Sequence, residues 1–512
     1  MIKRLLAIVF VFLSSLVMAT SWPISEAEYI IDGKANFVNV QPGDTLILEG
    51  QKNILIIRNL KGTPENPIVI TNKAGRIFSI NSTAGFGISI QGCSHIRLVG
   101  RPINKVCGIQ VTVPNGVGVG VGYFSENWEI NGLEIGPTKA PGILAKTDPD
   151  CSFTSTRDKF TQQGGKILSC YIHDTGTEGI YFGSSAYNGL SVRCGNEDTL
   201  LMPHLIYNAE VAHNLVKNTG WDAIQIASTL NSSVHHNTVI NDSKVEQRSH
   251  MNGIIAGLGF SGHIYNNLIL NGNGNGIFSM ARDSLIIDNN IIINPGYASS
   301  NGGQYGIFLN LESEESKWLQ VNNNLIANPR YQAFHSSLHP NMEYAGFINN
   351  IISYNDSLTG NSQELISSPL TALSELASNH INTEINLNQY YYNKDSLDQR
   401  NNGFTTNSGI LPLFVNSVDF YNRPRIDNSG IIDMGPFEYH DVSTAINSYS
   451  ISNQPCIEDF LSILQGSNAQ SLQIISLNGQ ILEGADWAKL PRGLYIIREP
   501  QGTCSIPIYK SY

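Results

Sequence analysis

The chain has 512 residues, with 42 Asp and Glu against 31 Lys and Arg and a formal net charge of -11. No basic patch and no interleaved run of aromatics accompanies that acidic balance, which argues against a nucleic-acid partner. Seven cysteines are too few for a disulfide-built scaffold of this length, although an exported chain can still pair some of them.

The N terminus reads MIKRLLAIVFVFLSSLVMATSWP, with a basic start at Lys3 and Arg4, an apolar stretch from Leu5 to Val17, and small side chains at Val17 and Ala19. Residues 1–19 are therefore expected to form a secretory signal, and the mature chain to leave the cytoplasm. No later run approaches the ~18 apolar residues that a spanning helix needs, so no transmembrane segment is expected in the mature chain.

Residues 28–140 hold short aliphatic strands between turns. NVQPGDTLILEG and ILIIRNLKGTPENPIVITNKAG place them after Pro-Gly and Gly-Thr-Pro bends, and GISIQG, HIRLVG and WEINGLEI bring the alternation into phase with the repeats beyond Lys166. The first coil of any stack exposes a core end and unpaired edges, so part of residues 23–50 is expected to cover it.

From Lys166 to Asn355 one phrase recurs: VAHNLVKNTG, SVHHNTVIND, IYNNLILNGN, IIDNNIIINPG, VNNNLIANPR and FINNIISYN. Its first Asn falls at Asn214, Asn237, Asn267, Asn290, Asn324 and Asn350, separated by 23, 30, 23, 34 and 26 residues. The unit is thus a coil near 23 residues with extra loop in some turns. Each coil holds short strands of period two separated by Asn and Gly corners, and no helical period persists. A single coil cannot bury its inward aliphatics, so the pattern predicts an all-β right-handed parallel β-helix whose coils stack around a narrow Val, Ile and Leu core. Four residues after each ladder position lies a second column, Asp174, Asn218, Asn241, Asn271, Asn294 and Asn328. Both columns are expected to be structural ladders at tight bends.

Past Asp356 the phrase fades. Leu370, Leu373, Leu376 and Ala377 suggest a short helix over the end of the stack, with a loop as the alternative. The adjacent Tyr390, Tyr391 and Tyr392 suit loop anchors better than a sugar platform. After His440 a polar linker leads to EDFLSILQ, SLQIISLNGQIL, LPRGLYIIREP and SIPIYKSY, short strands that suggest a small C-terminal β-sandwich. The division is residues 1–19 signal, 23–440 β-helix with caps, and 441–512 C-terminal module.

Together, GDTLILEG, KGTPENPIVITNKAG, the coil phrases and LPLFVNSVDFYNRPRIDNSGIIDMGPFEYH resemble the secreted parallel β-helix proteins of the pectate-lyase-like superfamily. The resemblance covers about Tyr29 to His440 and implies fold more strongly than chemistry, because that superfamily spans lyases, hydrolases, epimerases and proteins without known catalysis. Leu477 to Gln480 and Leu490 to Ile497 resemble the recognisable parts of the type IX secretion sorting domain, although Ser452-Asn453-Gln454-Pro455 stands where that family usually opens with two prolines around an Asn. The type IX machinery is then an implied partner, and the location implied is the medium or the outer-membrane surface of a Gram-negative bacterium. Cys456 and Cys504 are candidates for a pair or for two buried thiols.

For the chemistry, the coils align on the Gly or Ala that opens the strand after the second corner. The residue before it reads Pro141, Glu178, Asp222, Asn252, Asn275 and Tyr305. Acids one coil apart lie ~5 Å from each other, so Glu178 and Asp222 need a cation or a shared proton. They are candidates for Ca²⁺ ligands together with Asp174 or loop carbonyls, or for the carboxylate pair of a hydrolase. Two residues past the opening position, Tyr181 and Gln225 are expected to face outward, with Trp221 at the corner. Gly183, Ala227 and Gly257 follow Lys146 in the stack and suggest a trough beside that lysine, a candidate catalytic group, while Arg282 extends positive charge further along. Long loops after Ala145 and Phe182 overhang the same face, and Cys151 and Cys194 within them are expected to bridge. The expected ligand is a polysaccharide or cell-surface glycan and the expected state a monomer. Three readings stay open: a lyase of uronic-acid glycans, a glycoside hydrolase, and a non-catalytic glycan-binding or structural surface protein.

Overall fold

The computed structural model describes residues 19–353 apart from Asn104, Lys105 and Gly303, and beyond them only the strands Ile366–Ser367, Glu375–Ala377, His380–Asn382, Gln473–Ser476, Ile481–Leu482, Gly493–Arg498 and Ser505–Lys510. The expected signal segment, the three adjacent tyrosines, the segment 411–440 and the pair Cys456 and Cys504 lie outside the described residues.

The chain winds as a right-handed parallel β-helix built from three long parallel sheets of 13, 12 and 12 strands. Each coil visits them in the same order, and we number the sheets 1, 2 and 3 accordingly. One coil contributes Glu210–Ala212, Leu215–Lys217 and Ile224–Ile226, and these pair in register with Ser232–His235, Thr238–Ile240 and Asn252–Ala256 of the next. Period-two alternation explains the core: Val211, Val216, Ile224 and Ile226 point inward and are wholly buried. Every backbone ladder runs between coils, so each added coil buries the open face of the one before.

The corner from sheet 1 to sheet 2 is one left-handed residue followed by the ladder Asn. His213, His236, Asn266, Asn289, Asn323 and Asn349 hold φ between 54° and 58° there. Behind them each buried Asn donates to the Oδ1 of the next: Asn214 to Asn237 at 2.9 Å, Asn237 to Asn267 at 3.0 Å, and on to Asn350. The same side chains reach back to strand carbonyls, as Asn267 Nδ2 does to Val234 at 2.9 Å. Cys170 takes the ladder position one coil earlier and lends only its backbone N–H, to Asn214 Oδ1. The second column is also a ladder: Asn218 donates to Asp174 at 3.1 Å and Asn241 to Asn218 at 3.2 Å.

At the start of the stack, Ser21–Ile24 pairs with Thr45–Leu48 to open sheet 1. Phe37 is buried in the first coil's core, with Trp22 edge-on to it and Val40 packed against it, which closes the core end as expected. At the far end Glu375–Ala377 is a strand of sheet 1, with Leu376 opposite Phe347, in place of the expected helix. The short apolar period there yields to the free ladder edge that Tyr344–Ile348 offers. Of the C-terminal module, four strands form one antiparallel sheet, in the order Ile481–Leu482, Gln473–Ser476, Gly493–Arg498, Ser505–Lys510. Among the described residues no helix is long and apolar enough to cross a membrane.

Candidate functional site

The corner from sheet 2 to sheet 3 carries the acids. The predicted column is real: the Gly142 N–H donates to the Glu178 carbonyl, the Gly179 N–H to Asp222 and the Ala223 N–H to Asn252. Its lower part is an amide ladder, with Asn275 Nδ2 donating to Asn252 Oδ1 at 2.8 Å and Asn252 Nδ2 to Asp222 Oδ1 at 2.7 Å. Asp222 and Glu178 continue it with groups that accept only. Both are buried, at 0 % and 2 % exposure.

A residue absent from the sequence-derived set completes this corner. His250 Nδ1 lies 3.1 Å from Asp222 Oδ2 and 3.7 Å from Glu178 Oε1, and the three side chains bring ligand atoms within 4.8 Å of one another. Trp221 stacks on the imidazole with ring centroids 4.6 Å apart. Burial pushes the Asp222 carboxyl up to about 6 against the pull of His250 and Asn252, and the hydrogen bond to Asp222 raises His250 in turn. Beneath them, Asp242 is buried and its carboxyl is pushed up to about 7, first by burial and then by the charge of Asp222. Ser243 Oγ donates to its Oδ1 at 2.7 Å, while its Oδ2 has no partner. A side chain at Gly272 would collide with that carboxylate, so the glycine corner makes room for it.

One signal in the sequence points to His250. The 30-residue spacing from Asn237 to Asn267 exceeds the preceding 23 because extra chain is inserted at this very corner, after Asp242, and the insertion carries His250.

Elsewhere the expected site is rearranged. Asp174 is not gathered with Glu178 and Asp222; its carboxylate accepts from Asn218 and faces His173 Nδ1 at 2.8 Å. Two carboxylates with an imidazole nitrogen suit a transition metal, and Ca²⁺ here would take Glu178 and Asp222 with further oxygens other than those of Asp174. Tyr181 and Gln225 share the predicted column, which runs from Leu144 through Ile255, Phe278 and Phe308 to His335. Gln225 and Ile255 are nevertheless buried, as are Gly183, Ala227 and Gly257, so the surface beside Lys146 is filled rather than an open trough. Lys146 pairs with Asp148 at 2.9 Å and lies 5.1 Å from the Tyr181 ring centroid. Ala145 opposes Phe182, which places Lys146 up to ~16 Å along the strand direction from the Glu178 corner at about 3.3 Å per residue. Arg282 is tied to Glu315 at 3.2 Å and to nearby carbonyls, away from that corner.

Cys151 and Cys194 are bridged, joining the two long loops after Ala145 and Phe182. Arg157 caps the Tyr187 ring at 4.1 Å and Tyr187 lies over Gly259, so the loops are held down on the stack. Further along sheet 3 an aromatic strip is half-exposed: Phe278 stacks on Phe308 at 4.7 Å and Tyr305 on His335 at 4.6 Å, with Tyr331 edge-on to Tyr305.

No family model matches the chain, and no curated protein does. Among solved structures, it is similar to an alginate lyase from Paenibacillus sp. str. FPU-7, at 13% identity and TM-score 0.35 over 59% of this chain and 94% of that one. It is similar also to the pectate lyase Pel9A, at 11% identity and TM-score 0.37 over 82% and 96%. A GH136 lacto-N-biosidase from Eubacterium ramulus gives 12% identity and TM-score 0.42 over 71% and 68%. Likenesses this distant assign no activity to the chain.

Proposed function

We propose that the chain is an exported carbohydrate-active protein that takes a uronic-acid-containing polysaccharide along sheet 3 and cleaves it by β-elimination, with His250 as the base. The observation that carries this reading is the setting of the His250 ring. Nδ1 faces two buried carboxylates and one ring face lies on Trp221. The opposite edge, with Nε2, is left for a substrate proton. Asp222 then orients the imidazole and stabilises its protonated form. In the step itself the base removes the proton at C5, the C5–H electron pair becomes the C4–C5 double bond, and the glycosidic oxygen leaves C4 with its bonding pair. Lys244 and Arg248, on the inserted segment that carries His250, offer positive charge for the uronate carboxylate.

Burial of Glu178 and Asp222 weighs against the paired-carboxylate hydrolase, because neither presents an oxygen to a glycosidic bond. The aromatic strip of Phe278, Phe308 and Tyr305 supports the second reading, a non-catalytic glycan-binding β-helix, since aromatic faces stack on sugars without any titratable group.

The two readings separate in one experiment. Mature protein is screened against uronate-containing and neutral polysaccharides, following both unsaturated ends and reducing ends. Catalysis predicts unsaturated ends from a uronate polymer, with kcat falling about 10²- to 10⁴-fold in His250→Asn. Glycan binding without either product, unchanged in His250→Asn, leaves the binding reading. Export through the type IX machinery is part of the proposal; deleting residues 445–512 in the native host is expected to leave the β-helix in the periplasm, and unchanged appearance outside the cell would overturn it.

A further inference from the structure

A second cluster of titratable groups lies at the other corner of the helix, where sheet 1 turns into sheet 2. In four later coils the left-handed residue before the ladder Asn is itself Asn: Asn266, Asn289, Asn323 and Asn349. In two successive coils it is histidine, His213 and His236, and the residue before His236 is a third, His235. Each of the three rings brings a nitrogen within 4.8 Å of the others. His213 and His236 are stacked with centroids 4.8 Å apart.

The hydrogen bonds around the cluster fix where the lone pairs point. Nε2 of His235 lies 3.4 Å from Glu210 Oε1, which accepts from it. The proton of His235 therefore sits on Nε2, and its Nδ1 lone pair turns toward Nδ1 of His236, 2.8 Å away. The far nitrogen of His236 meets the Asn266 amide at 3.0 Å. There Asn266 Nδ2 donates to Nε2, or in the other amide orientation, identical in shape, Oδ1 accepts from Nε2–H. The two facing Nδ1 atoms of His235 and His236 are accordingly joined by a proton, or in the second orientation turn both lone pairs toward a shared cation.

We infer that His213, His235 and His236 form a binding site for a divalent transition metal ion, with Glu210 and Asn266 as the groups that orient the ligands. Three imidazoles suit Zn²⁺, Ni²⁺, Cu²⁺ or Co²⁺ and leave a coordination position open. A carboxylate on the far nitrogen of one ligand and an amide on that of another are the outer partners such rings take. The ion bridges two successive coils at the outer layer of the corner. The site is independent of the catalytic reading above and lies at a different corner from His250.

The test uses the untagged mature chain, stripped with chelator and titrated calorimetrically with Ni²⁺, with Co²⁺ absorption as a second readout. His213→Asn and His236→Asn install the residue that this corner takes elsewhere, so the fold is kept while a donor is lost. One equivalent is expected in wild type with the Co²⁺ band of imidazole coordination, at least about 100-fold weaker binding in either corner variant, and about 10- to 100-fold weaker binding in Glu210→Gln. His250→Asn is expected to keep the equivalent that the corner variants lose. The inference is overturned if stripped wild type takes up no Ni²⁺, if the corner variants bind as tightly as wild type, or if His250→Asn alone removes the ion and so places it at the other corner.

Discussion

Two columns run down this solenoid, and they differ where carboxylates stand in place of amides, at Asp222 and Glu178. In the ladder from Asn214 to Asn350 every side chain both donates and accepts, so each amide satisfies its neighbours and a strand carbonyl as well. The column from Asn275 up to Glu178 keeps to the same plan until Asp222, where a carboxylate replaces the amide. From there upward nothing donates unless a proton or cation enters, and His250 arrives on an inserted segment to supply one. The amide column is scaffold because it is closed. The acidic column is open, and chemistry is available where a column of this kind fails to close.

The sharpest way to break that contrast is to interrupt the closed column. Asn267 accepts from the N–H and the Nδ2 of Asn237 and donates to Val234 and Asn290. Asn267→Ala strands several of these groups, each costing ~1 to 3 kcal/mol when buried, so thermal or urea unfolding is expected to show a loss of about 3 to 4 kcal/mol. Asn267→Asp should lose a similar amount at neutral pH and recover part of it on acidification, because only the protonated acid donates.

The open column predicts an unusual pH dependence. Asp222, up to about 6, and Asp242, up to about 7, bind protons more readily folded than unfolded, and His250 is raised too. For groups of that sign stability is fully present below the unfolded pKa and is lost as pH rises through the folded one. The described helix should therefore melt at higher temperature near pH 5 than near pH 8 in the presence of chelator. Between those two pH values Asp222 alone accounts for roughly 1 kcal/mol. Asp222→Asn extends the amide ladder by one coil and is expected to flatten the profile, raise stability at neutral pH and abolish turnover. A wild-type melting temperature independent of pH over this range would show that the acids are compensated in some other way.

The same contrast explains how far these features were legible in the sequence. The closed ladder announces itself, because an Asn repeated at every coil is a period, and period alone gave the β-helix, the corner positions and the register of the outward column. Alignment on that period places Glu178 and Asp222 in one column, with Trp221 beside Asp222. His250 was missed because an inserted segment has no equivalent in other coils, and the useful signal was the irregular spacing itself. The trough beside Lys146 failed for a different reason: small residues predict space only when nothing else fills it, and Gly183, Ala227 and Gly257 are covered. Asp174 matched in residue type but belongs to the column bonded to Asn218.

The disulfide tests the loops rather than the columns. Cys151 and Cys194 lie 43 residues apart, a closure that nominally contributes ~2 to 4 kcal/mol by restricting the unfolded chain. Because both ends sit on surface loops that leave a stack closed by its own ladders, Cys151→Ser is expected to change global unfolding by less than that range and to appear mainly as faster proteolysis within the loops 147–165 and 183–204. An equal loss in global stability would mean that the loops unfold together with the helix.

The smallest effect is expected at Lys146, and its form matters more than its size. The lysine is held by Asp148, lies beside Tyr181, and stands several residues along the strand from the corner where His250 meets Asp222. On the proposed lyase reading it would meet a carboxylate some way along a bound polymer and not the sugar undergoing reaction. A half-exposed charge contact of this kind is worth about 1 kcal/mol. On the lyase reading, Lys146→Ala should raise KM about fivefold on a long uronate polymer, leave kcat nearly unchanged, and have no effect on a substrate too short to reach from the corner to the lysine. A fall in kcat beyond about tenfold, seen equally on short and long substrates, would put Lys146 at the reacting centre and require the chain to close that distance when substrate binds.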